Sequence, residues 1–331
     1  MIMKRLICLR NILVGMAGCM AGCLASVCLA QSQTFPAKPL RLVVPYAAGG
    51  AFDAFARPLA QKLGEQLRQP VLVENRPGGN SVIGADNVAK ASADGHSLLL
   101  TSIVHYIGPF FSRSVPYDTV TDFTPIAAVG VAPQAIAVHP SLGVNTMQEF
   151  IQHAKANPGK IFYGTTGYGS QQHLGGILLA RAAGLNIEHV PYKGGNPGIN
   201  DVLAGSIPMV IISASSILPH AKAGRLRALA VLEKRRFRGA PELPTIGESI
   251  PGLYIPETWM GVLGPAGMPR AIVDRLNGEL RSAVSAPEVR QRLENLGFEV
   301  AGSGADEFSQ VIKSDLEIIR QVIQTAGIKP E

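Results

Sequence analysis

The feature that most constrains this chain is a repeated alternation of short apolar runs with helical stretches. "LRLVV" (40 to 44), "PVLVEN" (70 to 75) and "HSLLLTS" (96 to 102) are separated by helical patterns at 53 to 68 and about 81 to 91. In the first of these, Phe55, Leu59, Leu63 and Leu67 recur every fourth residue and form one apolar stripe. Pro58 interrupts that pattern, so an irregular first turn or a late helix start is expected. Strand, helix and strand in succession predict a parallel sheet with right-handed crossovers.

A second set of the same kind follows "DFTPIAAVG". It runs through "QAIAVHP" (134 to 140), a helix from about Thr146 to Ala156, "KIFYGTTG" and a helix around 171 to 183. "IEHVPY", a short helix near 197 to 204, "IPMVIIS" and "LRALAVL" complete it. From Pro269 onward the pattern changes to amphipathic helices, "RAIVDRLNGELRSAVS" and "ADEFSQVIKSDLEIIRQVIQTAG". These need a sheet to cover, and they are expected to pack back on the first unit. With 331 residues, two domains are the natural expectation.

Residues 1 to 30 read as a secretory signal peptide. Lys4, Arg5 and Arg10 precede an apolar, small-residue run from Ile12 to Ala30, and a polar "QSQTFPAK" follows. A membrane anchor is the alternative, weakened by Gly15, Gly18 and Gly22. The four cysteines, Cys8, Cys19, Cys23 and Cys28, all lie in this segment. Cleavage after Ala30 would remove them, and with them any disulfide, Cys-ligated metal or thiol nucleophile. Met-Ala-Gly before Cys19 and Cys23 leaves lipidation open as a second fate. Loss of the three basic residues leaves 27 cationic against 24 acidic side chains, too small an excess to argue for nucleic acid.

The stretch "PYAAGGAFDAFARPL" (45 to 59) places two glycines between a strand and a helix and supplies no nucleophile. Such a turn points unpaired N–H groups outward at the positive end of a helix dipole, which makes a seat for an anion. Catalytic templates fail elsewhere. "GYGSQQ" (167 to 172) has Gln172 where a dinucleotide fingerprint needs its third glycine, and "NPGKIF" lacks the rest of a P-loop. Ser170 is followed by Gln171 and Gln172, so no nucleophile elbow forms. The seven histidines fall in no metal-binding spacing. No catalytic residue, metal or cofactor is expected.

Nine stretches together resemble one family. They are "RLVVPYAAGGAFDAFAR", "VLVENRPGG", "ADGHSLLLTS", "VPYDTVTDFTPIA", "GYGSQQHL", "HVPYKGGNPGINDVLAG", "LPHAKAGRLRALAV", "PELPTIGE" and "WMGVLGPAGMP". In this order, from about Pro39 to Ile328, the chain resembles the Bug-type extracytoplasmic solute receptors of tripartite tricarboxylate transporters. The resemblance implies a type II periplasmic binding protein: two α/β domains, hinge strands, and a carboxylate ligand in the central cleft. Domain one would comprise 31–131 plus 256–331 and domain two 132–255. The implied partners are a small carboxylate and membrane transporter subunits, with no nucleic acid and the receptor a monomer. A receptor presenting its ligand to a membrane sensor, or an exported hydrolase with a Ser-His-acid set, are the other readings.

Carried over residue by residue, the resemblance implies ligand contacts at Tyr46, Gly49, Gly50, Ala51, Phe52 and Asp53, with Asp53 mainly a helix cap. Thr101 and Ser102 match the next ligand-facing turn. Thr166, Gly167, Gly169 and Ser170 match the second glycine-rich loop, before a helix bearing His173. Tyr192 and Lys193 match the "PYKG" turn, with Gly194 beside them. Each also has an ordinary alternative: a plain αβ turn, a polar strand end, a core histidine, a solvent-facing lysine.

The chain departs from the family at several places. Pro208 stands for a frequent Asp, Gly108 for Asn, Phe52 for a small hydroxyl residue, and Ile212 with Ser213 for an Asp-Asn pair. Ser213 stays a candidate contact, but the cleft loses a carboxylate. That disfavours a ligand ammonium group, because burying an unpaired cation is costly. Phe52 is expected either as an aromatic wall beside the anion seat or in its own core beside Phe55.

Overall fold

A computed structural model describes residues 35–79, 81–111, 115–192 and 194–326. The expected signal peptide, its cysteines and Lys193 lie outside the described residues. No described helix is long and apolar enough to cross a membrane.

The first sheet draws strands from both ends of the chain. Its order is β11-β4-β10-β3-β1-β2, with β1 Leu40–Val44, β2 Val71–Asn75, β3 Ser97–Ser102, β4 Phe123–Val131, β10 Trp259–Pro265 and β11 Glu299–Val300. β1 is parallel to β2 and β3, as the alternation predicts. β10 runs antiparallel between β3 and β4, so the sheet is mixed. It enters from the second lobe rather than through a βαβ crossover, and so escapes the rule that fixes the other three.

Helix α1 (Ala51–Leu67) starts earlier than its pattern suggests and runs unbroken through Pro58. The proline forfeits one backbone bond. Complete burial of Phe55, Leu59 and Leu63 against the sheet outweighs that loss, since tertiary packing supplies most helix stability. α2 (Val82–Ala89) and the short α3 (Val104–Ile107) complete the N-terminal part.

The second sheet has the order β7-β6-β8-β5-β9: β5 Gln134–Val138, β6 Ile161–Thr165, β7 Ile187–Pro191, β8 Met209–Ser213 and β9 Arg227–Val231. β6 is parallel to β7 and β8, while β5 is antiparallel to β8 and β9. Its helices are α4 Met147–Ala156, α5 Gln171–Ala183, α6 Gly195–Leu203, α7 Ala214–Lys222 and α8 Ile246–Ser249. α6 begins two residues before the expected 197, because Pro197 is tolerated in a first turn.

The tail supplies α9 Arg270–Ser285, α10 Pro287–Asn295 and α11 Ala305–Ala326. α9 and α11 pack on β4, as expected. Phe308, Ile312, Leu316 and Ile319 of α11 share one buried cluster with Trp259. Leu174, on α5 of the second lobe, belongs to that same first-lobe cluster, whereas Leu179 one turn later belongs to the second lobe's core. The chain crosses between sheets after Val131 and again before Trp259. The two crossings are joined where the Ala132 N–H donates to the Thr258 carbonyl at 2.9 Å.

Candidate functional site

A cleft of about 780 Å³ lies between the two sheets. In the first lobe, β1 ends and Gly49 turns the chain with φ +79°. Gly50 takes the N-cap position of α1, and no side chain caps that helix. The first-turn N–H groups at Ala51 and Phe52 thus keep no side-chain acceptor. Asp53 is not the expected cap for them. Its Oδ2 accepts the Gly49 N–H at 2.9 Å, and both its oxygens take Arg57. The Arg57 guanidinium lowers the Asp53 pKa, with the Gly49 bond adding to it. Asp53 and Gly49 therefore brace the turn from behind, and neither lines the cleft.

Phe52 lines the cleft and stacks on Tyr46, with ring centroids 4.0 Å apart and planes at 25°. Of its two expected placements, the wall beside the helix start is the one observed. Burial raises the Tyr46 phenol pKa, opposed by the hydroxyls of Ser102 and Thr101 alongside. Ser102 lines the cleft, while Thr101 is fully buried behind it.

In the second lobe Thr166, Gly167 and Ser170 line the cleft. The Ser170 hydroxyl caps α5 by accepting the His173 N–H at 3.2 Å. Gly169 has φ +71° and turns away from the cleft: a β-carbon there would stand 2.9 Å from the Phe111 ring, which comes from the first lobe. His173 is buried beneath the turn. Its Nδ1 accepts the Gly169 N–H at 3.3 Å, and its ring stacks on His189 at 4.0 Å. Burial pulls the pKa of His173 down to about 4 and of His189 to about 3, so both are neutral at pH 7.

Tyr192 is a wedge below the site rather than a wall of it. Its hydroxyl donates to Asp201 at 2.5 Å, and its ring fills the space left by Gly164 and Gly198. The residues just after it, Gly194 to Pro197, do reach the cleft, at the start of α6 where no side chain caps. Ser213 lines the cleft as N-cap of α7, but its hydroxyl pairs with Ser215 at 2.8 Å and caps nothing. Three helix starts, α1, α6 and α7, thus face one cleft without side-chain caps. Backbone N–H groups in that arrangement favour an anion.

The structure adds residues that the sequence pattern did not single out. Gln171 and Gln172 open α5. The Thr166 hydroxyl donates to Gln172 Oε1 at 3.0 Å, Gln172 Nε2 to Gln134 Oε1 at 2.8 Å, and Gln134 Nε2 to the Ala132 carbonyl at 2.5 Å. Gln171 Nε2 donates to the Pro256 carbonyl at 2.8 Å. The second-lobe turn is therefore tied to both crossings. Consecutive glutamines in a helix's first turn after a glycine loop were the available signal. Leu296 and Phe298 also line the cleft, contributed by the C-terminal tail, and no local pattern marks them.

Among the described residues no Asp, Glu, Lys, Arg or His lines the cleft, and no cluster of His, Cys, Asp and Glu could hold a metal ion. One buried acid stands near the crossings. Glu233 accepts the Gln134 N–H at 2.8 Å, and burial pushes its pKa up to about 8.

Residues 55–328 match the model of the tripartite tricarboxylate transporter family receptors, TctC. The chain belongs to that family. It is 37% identical over 316 residues to a UPF0065 protein in the tcbD-tcbE intergenic region of Pseudomonas sp. strain P51, covering 95% of this chain and 93% of the relative. It is 32% identical to protein BugT of Bordetella pertussis, covering 99% of each. The structure of R. palustris Rpa4515 with adipate superposes with a TM-score of 0.78 at 32% identity, over 90% of this chain and all of that one. The TctC-type chain is thus a solute receptor with the binding-protein fold, not an enzyme.

Proposed function

We infer that this receptor captures a small carboxylate with an apolar or aromatic body between its lobes and delivers it to the transporter's membrane subunits. The observation that carries the reading is the cleft wall itself. Uncapped helix starts and hydroxyls come from both lobes, the Tyr46–Phe52 stack forms a flat apolar side, and no carboxylate is present to receive an ammonium group. A ligand bonded to both lobes favours closure by its differential affinity. Adipate bound in the R. palustris relative supports the carboxylate class.

The direct contacts in this reading are Tyr46, Gly50, Ala51, Phe52, Ser102, Thr166, Gly167, Ser170 and Ser213. Gly49, Asp53, Thr101, Gly169, His173 and Tyr192 hold them in place. The lobes are 31–131 plus 256–331 and 132–255, the receptor works as a periplasmic monomer, and residues 1–30 are removed on export. Intact mass of exported protein should show Gln31 as the first residue. A diacylglyceryl adduct on Cys19 or Cys23 would replace that with a lipid anchor.

A thermal-shift panel tests the ligand class. A ligand at a hundred times its dissociation constant stabilises by roughly 2.7 kcal/mol. Aromatic carboxylates and small aliphatic carboxylates such as adipate should give the largest shifts, and zwitterionic amino acids none. Aspartate or glutamate giving the strongest shift would overturn the apolar-body assignment.

A further inference from the structure

The two lobes meet differently on the two sides of the cleft. On the α5 side the contact is broad and apolar, with Leu174 buried in the first lobe's cluster and Phe111 seated on Gly169. On the other side, the turn between α10 and β11 meets the start of α7. Gly297 sits there with φ +84°, and a β-carbon built on it would lie 2.1 Å from Ser215 Cβ and 3.3 Å from Ser215 Cα. No side chain other than hydrogen fits between the lobes at that point.

The position of this contact matters as much as its closeness. Glu299, two residues on, pairs with Val131 at the first crossing, and it accepts the Arg238 N–H from the second lobe at 2.8 Å. At about 3.3 Å per extended residue, Gly297 is only a short way along the lever from that crossing. A stop placed on a short lever controls rotation strongly, because a small displacement there becomes a larger one at the mouth. Packed surfaces resist such displacement steeply.

We propose that Gly297 and Ser215 form the closing stop of this receptor, and that Gly297 is a positioning residue that sets how far the lobes close. The stop fixes the final separation of Phe52 and Phe298 in the first lobe from Ile212 and Ser213 in the second. It thereby limits the ligand size the closed cleft accepts. The effect on affinity rests on the cleft being the ligand site, as proposed above; the effect on lobe separation does not.

The test is a rescue. Gly297→Ala should hold the lobes further apart in a crystal structure and weaken adipate binding about tenfold by calorimetry. The pair Ser215→Gly/Gly297→Ala returns the missing space while keeping alanine in the left-handed region. Its interlobe angle should return to that of Ser215→Gly, and its adipate affinity should match that single variant. An unchanged angle in Gly297→Ala overturns the proposal. So does an equal change in the pair, since backbone strain alone would then be the cause. If adipate fails to bind the unaltered protein, the angles alone decide.

Discussion

The two glycine-rich turns that begin α1 and α5 look alike in sequence and are built differently. The first, around Gly49 and Gly50, leaves its helix uncapped toward the cleft and is braced from behind by Asp53 and Arg57. The second, from Thr166 to Ser170, satisfies itself: Ser170 caps the helix, His173 takes the Gly169 N–H, and Gln172 takes the Thr166 hydroxyl. The first turn keeps its helix-start donors free for a ligand, while the second commits most of its groups to its own shape and offers a ligand only what remains. Substitutions should therefore separate binding from stability, acting on the first at the first turn and on the second at the second.

The largest expected effect is at Gly169. Valine there meets Phe111 and must adopt φ +71°, a conformation that β-branched residues avoid. A loss of roughly 3 kcal/mol or more is expected, read as a lower midpoint in denaturant. Normal stability with lost ligand binding would make this turn a donor after all.

Next comes the response to acid. His173 and His189 have folded pKa values below the unfolded 6.5, so the unfolded chain binds more protons between pH 6.5 and about 4. Their contribution is present above pH 6.5 and is lost as pH falls through the folded values. At pH 5 each histidine should have cost about 2 kcal/mol relative to pH 7. That cost is read as the difference between the wild type and a variant lacking both, because Glu233 with its raised pKa gains stability over the same range. Asp53, whose pKa is lowered by Arg57, should bring in the first turn's loss only below pH 3.8. Thermal unfolding of the wild type and a His173→Gln/His189→Gln variant across pH would show the two steps, the upper one missing from the variant. An upper step that survives in the variant belongs to another group.

Gly50→Val is the counterpart of the Gly169 change. Gly50 has ordinary extended backbone, and an added β-carbon meets only the Ala47 carbonyl at 3.3 Å. The bulk instead projects at the helix start, so affinity should fall about tenfold, about 1.4 kcal/mol, with the melting temperature nearly unchanged. Calorimetry with the best carboxylate of the panel decides. The smallest effect is at Ser170→Ala, where loss of the cap should cost about 1 kcal/mol of stability in a denaturant titration. A cost near zero would mean that water or Gln172 caps α5 equally well.

Strands and helices were legible because their signals are local: Phe55, Leu59, Leu63 and Leu67 announce α1 by spacing alone. The first turn was legible for the same reason, two glycines between a strand and a helix. Gly169 was misleading because its constraint is Phe111, far away in sequence, and only the fold brings that ring to it. His173 stays open between a cleft contact and a core histidine until His189, on β7, is placed against it. Leu296 and Phe298 reach the cleft from the C-terminal tail, so no window of sequence around the ligand loops contains them. The direction of β10 was not legible, because its pairing with β3 and β4 is set by the return crossing, not by its own residues.

Helix α5 belongs to two cores at once, with Leu174 buried among first-lobe residues and Leu179 among those of the second. Neither lobe can melt without stripping one face of a helix the other depends on. The two lobes are thus a single cooperative unit in unfolding. Calorimetric heating should pass through one transition, and a ligand touching either wall should raise the melting point of both.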